Sequence, residues 1–236
     1  MTAYWTEPEG MRFTPDSYEE LLAGLLDDGY EFVGFDDPGP REVILRHDVD
    51  LSPERALSMA RREADLGVSA TYFFLVTAPV YDLLEPRQFE AMRTIEALGH
   101  EIGLQFDSHR VWDDRPDGRT LVETVRREMA VLCHLTEGSI EVVSFHVPPD
   151  WVLDRRFEEF TSVYAPRYFS EIGYCSDTNQ RWRRRRPFVD GVPETVQVLV
   201  HPGLWDPRDR ALSTVVADRA DRAHHRITEY LDRVVR

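Results

Sequence analysis

Lysine is absent from the 236-residue chain. Its 28 basic side chains are all arginine, set against 43 aspartates and glutamates, for a formal charge of −15. That balance argues against nucleic acid and anionic membranes as partners, since both are approached through clustered positive charge. An acid excess without lysine suits a protein kept soluble in concentrated salt; GC-rich codon usage accounts for it equally well. Cysteine is nearly absent. Cys133 and Cys175 stand in unrelated contexts with no CxxC, which excludes a zinc knuckle and leaves two free thiols. No apolar run approaches the ~20 residues of a membrane span, and the opening MTAYWTEPEGMRF has neither a basic n-region nor an apolar h-region. The expectation is a cytoplasmic protein with no membrane partner. Repeats, low-complexity tracts and Ser/Gly linkers are missing too. With 42% hydrophobic residues, the chain reads as one domain over 1–236, a normal length for an α/β barrel.

What is present alternates. SYEELLAGLLDDGY (17–30) has helical spacing and EFVGF follows as a short strand; EVILRHDVD (42–50) is an apolar run that ends abruptly in charge. Ser52 and Pro53 read as N-cap and first helical residue of a segment that stops at Gly67. SATYFFLV (69–76), HEIGLQF, EVVSF (141–145) and TVQVLV (195–200) read as further strands. PRQFEAMRTIEALG, TLVETVRREMAVLCHL (120–135), a short DRRFEEF and a long C-terminal piece from about 211 to 235 read as helices. Strands and helices in alternation predict parallel βαβ units, whose chemistry collects at the C-terminal strand ends. RHDVD, QFDSH, FHVPP and VHPGLW all follow apolar runs at such points.

Each cluster has a chemical reading and a plainer one. Asp48 and Asp50 are two apart, so an extended strand presents both on one side, one to bind a divalent cation and the other to act as base on metal-bound water. Alternatively Asp50 and Ser52 cap the next helix and Asp48 pairs with Arg46. Gln105 and His109, four apart, meet one ion if the chain turns after the strand, although an amide oxygen is a weaker ligand than imidazole. Otherwise His109 is an exposed loop histidine. His146 and His201 stand at strand ends before prolines, and a histidine like His201 suits protonation of a leaving amine; each is also a common structural residue. Trp182 and Trp205 stack on a sugar face or belong to the core. RWRRRR (181–186) reads as a solvated or ion-paired loop, with contact to an anionic substrate the other reading.

Taken in order, ILRHDVD, ATYFFL, GHEIGLQFD, SFHVPP, YCSDTNQRWR and VLVHP, within about 42–206, resemble the polysaccharide deacetylase group (NodB homology, carbohydrate esterase family 4), in the branch with an RHDVD first motif. The resemblance implies a distorted (β/α) barrel of about seven parallel strands and one divalent metal, most often zinc. It implies hydrolysis of an N-acetyl group from an amino sugar or activated sugar. By position, Asp48 resembles the catalytic base and Asp50 the metal-binding aspartate. Gln105 and His109 fall in the two metal-histidine slots. His201 resembles the general acid, and Asp177 the aspartate that positions catalytic groups. His146, Trp182 and Trp205 are expected near the substrate.

Two positions depart from the pattern. Gln105 replaces an imidazole, and Val147 stands where relatives carry the arginine that orients the base. Loss of one imidazole should weaken zinc binding by several kcal/mol, taking ~10–16 kcal/mol over about four ligands. Asp107, His146 and His47 are the nearby groups able to substitute. Two functions follow: a metal-dependent carbohydrate de-N-acetylase acting on an N-acetylated sugar, or a non-catalytic relative that serves as a sugar-binding or regulatory subunit.

Overall fold

A computed structural model describes residues 10–235. The opening residues 1–9, on which part of the leader reading rested, and the last residue lie outside the described residues. One sheet carries the fold. In chain order its strands are β1 (Glu31–Val33), β2 (Glu42–Val49), β3 (Thr71–Leu75), β4 (Glu101–Phe106), β5 (Val142–Phe145), β6 (Thr161–Ser162), β7 (Gly173–Ser176) and β8 (Thr195–Val200). The order across the sheet is β6-β5-β4-β3-β2-β8-β7, and every pairing is parallel. Residues 42–47 of β2 pair with β8 along one edge. On the other edge β1 takes the first half of β2 and β3 takes the second. Among the described residues β6 and β7 do not pair, so the seven-stranded path curves into an open, distorted barrel.

Among the described residues six helices wrap it: α1 (Pro15–Asp27), α2 (Pro53–Asp65), α3 (Pro86–Ala97), α4 (Gly118–Cys133), α5 (Pro166–Phe169) and α6 (Leu212–Val234). The first two strand–helix units show local chemistry setting their limits. Ser52 caps α2 by accepting from the Arg55 N–H, and Pro53 opens the helix. Gly67 then reverses the chain at φ 71°, a conformation that disfavours any residue with a Cβ. β2 is buried from Val43 to Val49, as a central parallel strand must be. Inside the barrel the ring of Phe73 lies over β4, where a Cβ on Gly103 would come within 2.4 Å of it. Glycine there is what lets the two strands carry one aromatic between them.

Four segments differ from the sequence reading. DRRFEEF (154–160) is not helical: Phe157 and Phe160 stack at 4.5 Å and pack toward Phe145, while Asp154 adopts φ 53°. The i,i+3 aromatic spacing that suggested a helix instead serves an irregular segment lying on the barrel. β6, α5 and β7, two to four residues each, are too short to show periodicity. The thiols Cys133 and Cys175 are free. No helix among the described residues is long and apolar enough to cross a membrane.

Candidate active site

Because all strands run the same way, the ends of β2, β4, β5, β7 and β8 deliver Asp48, Asp50, Gln105, His146, Asp177 and His201 to one rim. A cleft of about 590 Å³ opens there, lined by Asp48, Asp50, His146, Tyr164, Tyr174 and His201 among others. A hollow of similar size, about 650 Å³, lies at the opposite strand ends, lined by Glu96, Glu101 and Glu141 with His100, Thr136 and Ser139.

The floor of the cleft is built on β2. Period-two alternation turns Arg46 and Asp48 into the barrel and His47 out of it. Arg46 is fully buried and grips Asp48 with two bonds, Nε to Oδ1 at 2.9 Å and Nη2 to Oδ2 at 2.8 Å. Its remaining donors reach Gln197, Ser144 and Tyr164, and Ser144 also donates to Asp48 at 3.1 Å. A buried guanidinium with these partners is satisfied, and its charge is balanced by the carboxylate it holds. The plainer pairing of Asp48 with Arg46 is therefore real. It fixes the carboxylate's orientation, the part that the resemblance would give to an arginine at the position of Val147.

Asp50 does not cap α2; Ser52 does that alone. Asp50 instead sits between two imidazoles, with Oδ1 at 3.3 Å from His146 Nδ1 and Oδ2 at 3.9 Å from His201 Nε2. Gln105 donates its amide N–H to Asp50 at 2.7 Å, and the same nitrogen lies 3.2 Å from His146 Nδ1. Burial would raise the Asp50 pKa, but the His146 bond, the His201 charge and the Gln105 bond outweigh it and hold the carboxyl below its usual range. His146 moves the other way: burial lowers it, and Asp50 more than compensates.

His201 is the most strongly organised group. Its Nδ1 is 2.6 Å from Asp177 Oδ1, and Asp177 is fully buried. Asp177 also accepts the His201 main-chain N–H and, at 2.8 Å, the Trp205 indole N–H. Burial pushes the imidazole down, but Asp177, Asp50 and Asp48 together raise it to about 9. At neutral pH His201 is thus an imidazolium whose Nε2–H faces the cleft, a proton donor by geometry and by charge.

The side chains at this rim do not fit the metal that the resemblance implies. His109 is turned away: its exposed ring has Nε2 2.9 Å from the Val147 carbonyl, at a residue held at φ 44°, so that nitrogen donates and does not ligate. Asp107 caps its own turn by accepting the His109 N–H. His47 lies on the far face of β2, buried against Glu63 at 2.8 Å. The Gln105 nitrogen faces Asp50, while its oxygen is buried without a partner. Among the described residues no group of three or more His, Cys, Asp or Glu side chains is placed to hold an ion.

The tryptophans also depart from expectation. Trp182 and Trp205 are 2% and 1% exposed and pack against each other edge to face, with Trp205 stacked on Phe13. They are core, and the Trp205 N–H is spent on Asp177. The accessible aromatics of the cleft are Tyr174 and Phe169, in edge contact at 4.9 Å, which the sequence reading passed over. Their signal was weak: an aromatic beside a two- to four-residue element has no pattern to mark it. Within the arginine run, Arg183 pairs with Asp209 and Arg185 with Asp190, as an ion-paired loop should.

No protein-family model matches the sequence, and no curated protein matches it. Solved structures do. The wild-type form of BA3943, a CE4 family pseudoenzyme from Bacillus anthracis, superposes with a TM-score of 0.50 at 15% identity, over 78% of this chain and 62% of that one. This chain therefore spans less than two thirds of that protein's length. The Streptococcus pyogenes deacetylase PplD, in complex with acetate, gives 0.47 at 13% identity over 89% and 90% of the two chains. A family 4 acetyl xylan esterase from Clostridium thermocellum, with a cobalt ion, gives 0.43 at 16% identity over 76% and 84%. At such identities the likeness to the pseudoenzyme speaks for architecture alone, and with the open parallel barrel described above it gives this chain the NodB-like polysaccharide deacetylase fold of carbohydrate esterase family 4.

Proposed function

We propose that residues 10–235 act as one domain whose cleft binds an N-acylated sugar, and that the site is held together by hydrogen bonds in place of a metal ion. One observation carries this reading: the Gln105 amide donates to Asp50 at 2.7 Å, in the position where the resemblance puts a metal-binding histidine. A carboxylate already satisfied by an amide and flanked by two imidazoles gains little from a cation and loses those bonds on taking one. The aromatic wall of Tyr174 and Phe169 suits a pyranose face, and the imidazole and carboxylate groups on the floor suit the polar amide of an acyl substituent. The role is that of a sugar-binding or regulatory protein.

The test has two parts. Elemental analysis of protein purified without chelator, followed by equilibration with micromolar zinc or cobalt, is expected to find no stoichiometric metal. Ligand-observed NMR with N-acetylglucosamine is expected to find saturable binding that Asp50→Leu removes. Near one metal per chain, or no sugar binding, would overturn the reading.

A second reading, a de-N-acetylase, is favoured by the His201–Asp177 pair, since a cationic imidazole with its N–H directed into the cleft is what a departing amine requires. Acetate release from an N-acetylated sugar, abolished by Asp48→Asn in a folded protein, would establish it.

A further inference from the structure

The turn after β7 contains two successive non-glycine residues in the left-handed region, Asn179 (φ 56°, ψ 29°) and Gln180 (φ 52°, ψ 35°). Such residues cost roughly 1–2 kcal/mol each and persist only where their surroundings over-determine them. Here the restraint is visible. Gln180 is buried; its amide donates to the carbonyls of Leu204 at 3.2 Å and Arg210 at 3.1 Å, and its oxygen accepts from Arg183 at 2.8 Å. Trp182 is in the core. With Gln180, Trp182 and Arg183 anchored, the residues between and before them, Arg181 and Asn179, are left exposed, and both line the cleft.

The Arg181 side chain makes no hydrogen bond or ion pair with the other described residues, although its carbonyl accepts the Arg184 N–H at 3.1 Å. Its neighbours Arg183 and Arg185 each hold a carboxylate, and Arg181 does not. A permanently charged, exposed guanidinium at the lip of a pocket, on a turn held by its buried neighbours, is positioned for an anion from outside.

We propose that the Thr178–Arg183 turn recognises an anionic group, a carboxylate or a phosphate, carried by the sugar in the cleft. Arg181 supplies the charge and Asn179 an additional donor. The inference rests on the sugar-binding reading above. The ring then lies along Tyr174 and Phe169, the acyl group reaches the floor at Asp50 and His146, and the anionic substituent projects to the rim. The guanidinium fork fits either anion with two parallel bonds. A carboxylate and a phosphate on the same ring therefore distinguish the sources.

The experiment compares the affinities of N-acetylglucosamine, N-acetylmuramic acid, N-acetylglucosamine 1-phosphate and inorganic phosphate for the wild-type protein, at low and high salt. At least one anionic sugar is expected to bind about tenfold more tightly than the neutral one, with the advantage shrinking as salt rises. Arg181→Gln is expected to remove that advantage. Arg184→Gln, an exposed arginine of the same run outside the cleft, is expected to keep it. Equal affinities for neutral and anionic sugars, or a preference that survives Arg181→Gln, overturn the proposal and leave the sugar site standing. Arg181-dependent binding of inorganic phosphate as tight as that of the sugar phosphate supports the anion site and removes the sugar. Binding of none of the four overturns both.

Discussion

Asp177→Asn should flatten the pH dependence of stability that His201 imposes. The carboxylate touches Nδ1 of the imidazole at 2.6 Å and, with Asp50 and Asp48, overrides the effect of burial to lift the pKa from 6.5 to about 9. His201 is only 15% exposed, so screening takes little from the interaction. The gap from 6.5 to about 9 corresponds to roughly 3 kcal/mol. The sign follows from the direction: the folded protein holds the proton more tightly than the unfolded chain. The stabilisation is therefore complete below pH 6.5, declines as pH rises, and is gone above about 9. Urea unfolding on either side of that window measures it, and an NMR titration of the imidazole Cε1–H locates the pKa. Asparagine also turns an N–H donor toward the His201 amide or the Trp205 indole, both donors themselves, so the variant should be weaker by about 1–3 kcal/mol at every pH. The diagnostic is the slope. Asp50 and His146 titrate in both proteins, and their contributions largely cancel in the difference. A wild-type His201 that titrates near 6.5, or equal losses in the two proteins across the window, would refute the reasoning.

Gln105→His is expected to raise cobalt affinity at least about tenfold, read by visible absorption, by replacing an N–H donor to Asp50 with a ligand; unchanged affinity would mean that His109 stays with the Val147 carbonyl. Arg46→Met leaves Asp48 as a buried charge without its counter-ion and should cost about 3–5 kcal/mol in chemical denaturation. The pair Arg46→Met with Asp48→Leu should recover much of that loss, and a double variant weaker than the single would remove the pairing argument. Glu63→Gln replaces a buried acceptor shared by Tyr18, Tyr72 and His47 with a group that offers one oxygen in place of two. A loss of about 2–4 kcal/mol is expected, measured the same way, and an unaffected midpoint would mean that the network is not charged.

The chain alone announces the barrel because the apolar runs end in polar clusters, and parallel topology turns each such ending into a rim position. The same property makes Asp48, Asp50, His146 and His201 legible: they sit within one to three residues of a strand end, where backbone direction leaves little choice. Legibility fails where a side chain's direction depends on a turn. His109 lies four residues beyond Gln105, but the strained carbonyl at Val147 draws its ring outward, and no spacing rule reports that. Trp182 and Trp205 follow strand ends too, yet Phe13, from before α1, comes in to cover one of them, a contact 192 positions distant in sequence that no local pattern carries. β6 and β7 escape notice because a strand of two or four residues is shorter than the window in which alternation means anything.

The bond between Arg46 and Asp48 joins two residues of one strand, and that has an evolutionary consequence. When a key carboxylate is steadied by an arginine on a different loop, the loop's length and sequence are tied to the chemistry. Here the brace travels with the carboxylate on β2, and its further contacts to Ser144, Tyr164 and Gln197 come from inside the barrel. The segment after β5, from Val147 through Leu153, is thereby released from that duty. Substitutions within it should therefore leave the Arg46–Asp48 bond in place, so that the wall of the cleft formed by Val147, Pro148 and Leu153 can change while the acid stays fixed.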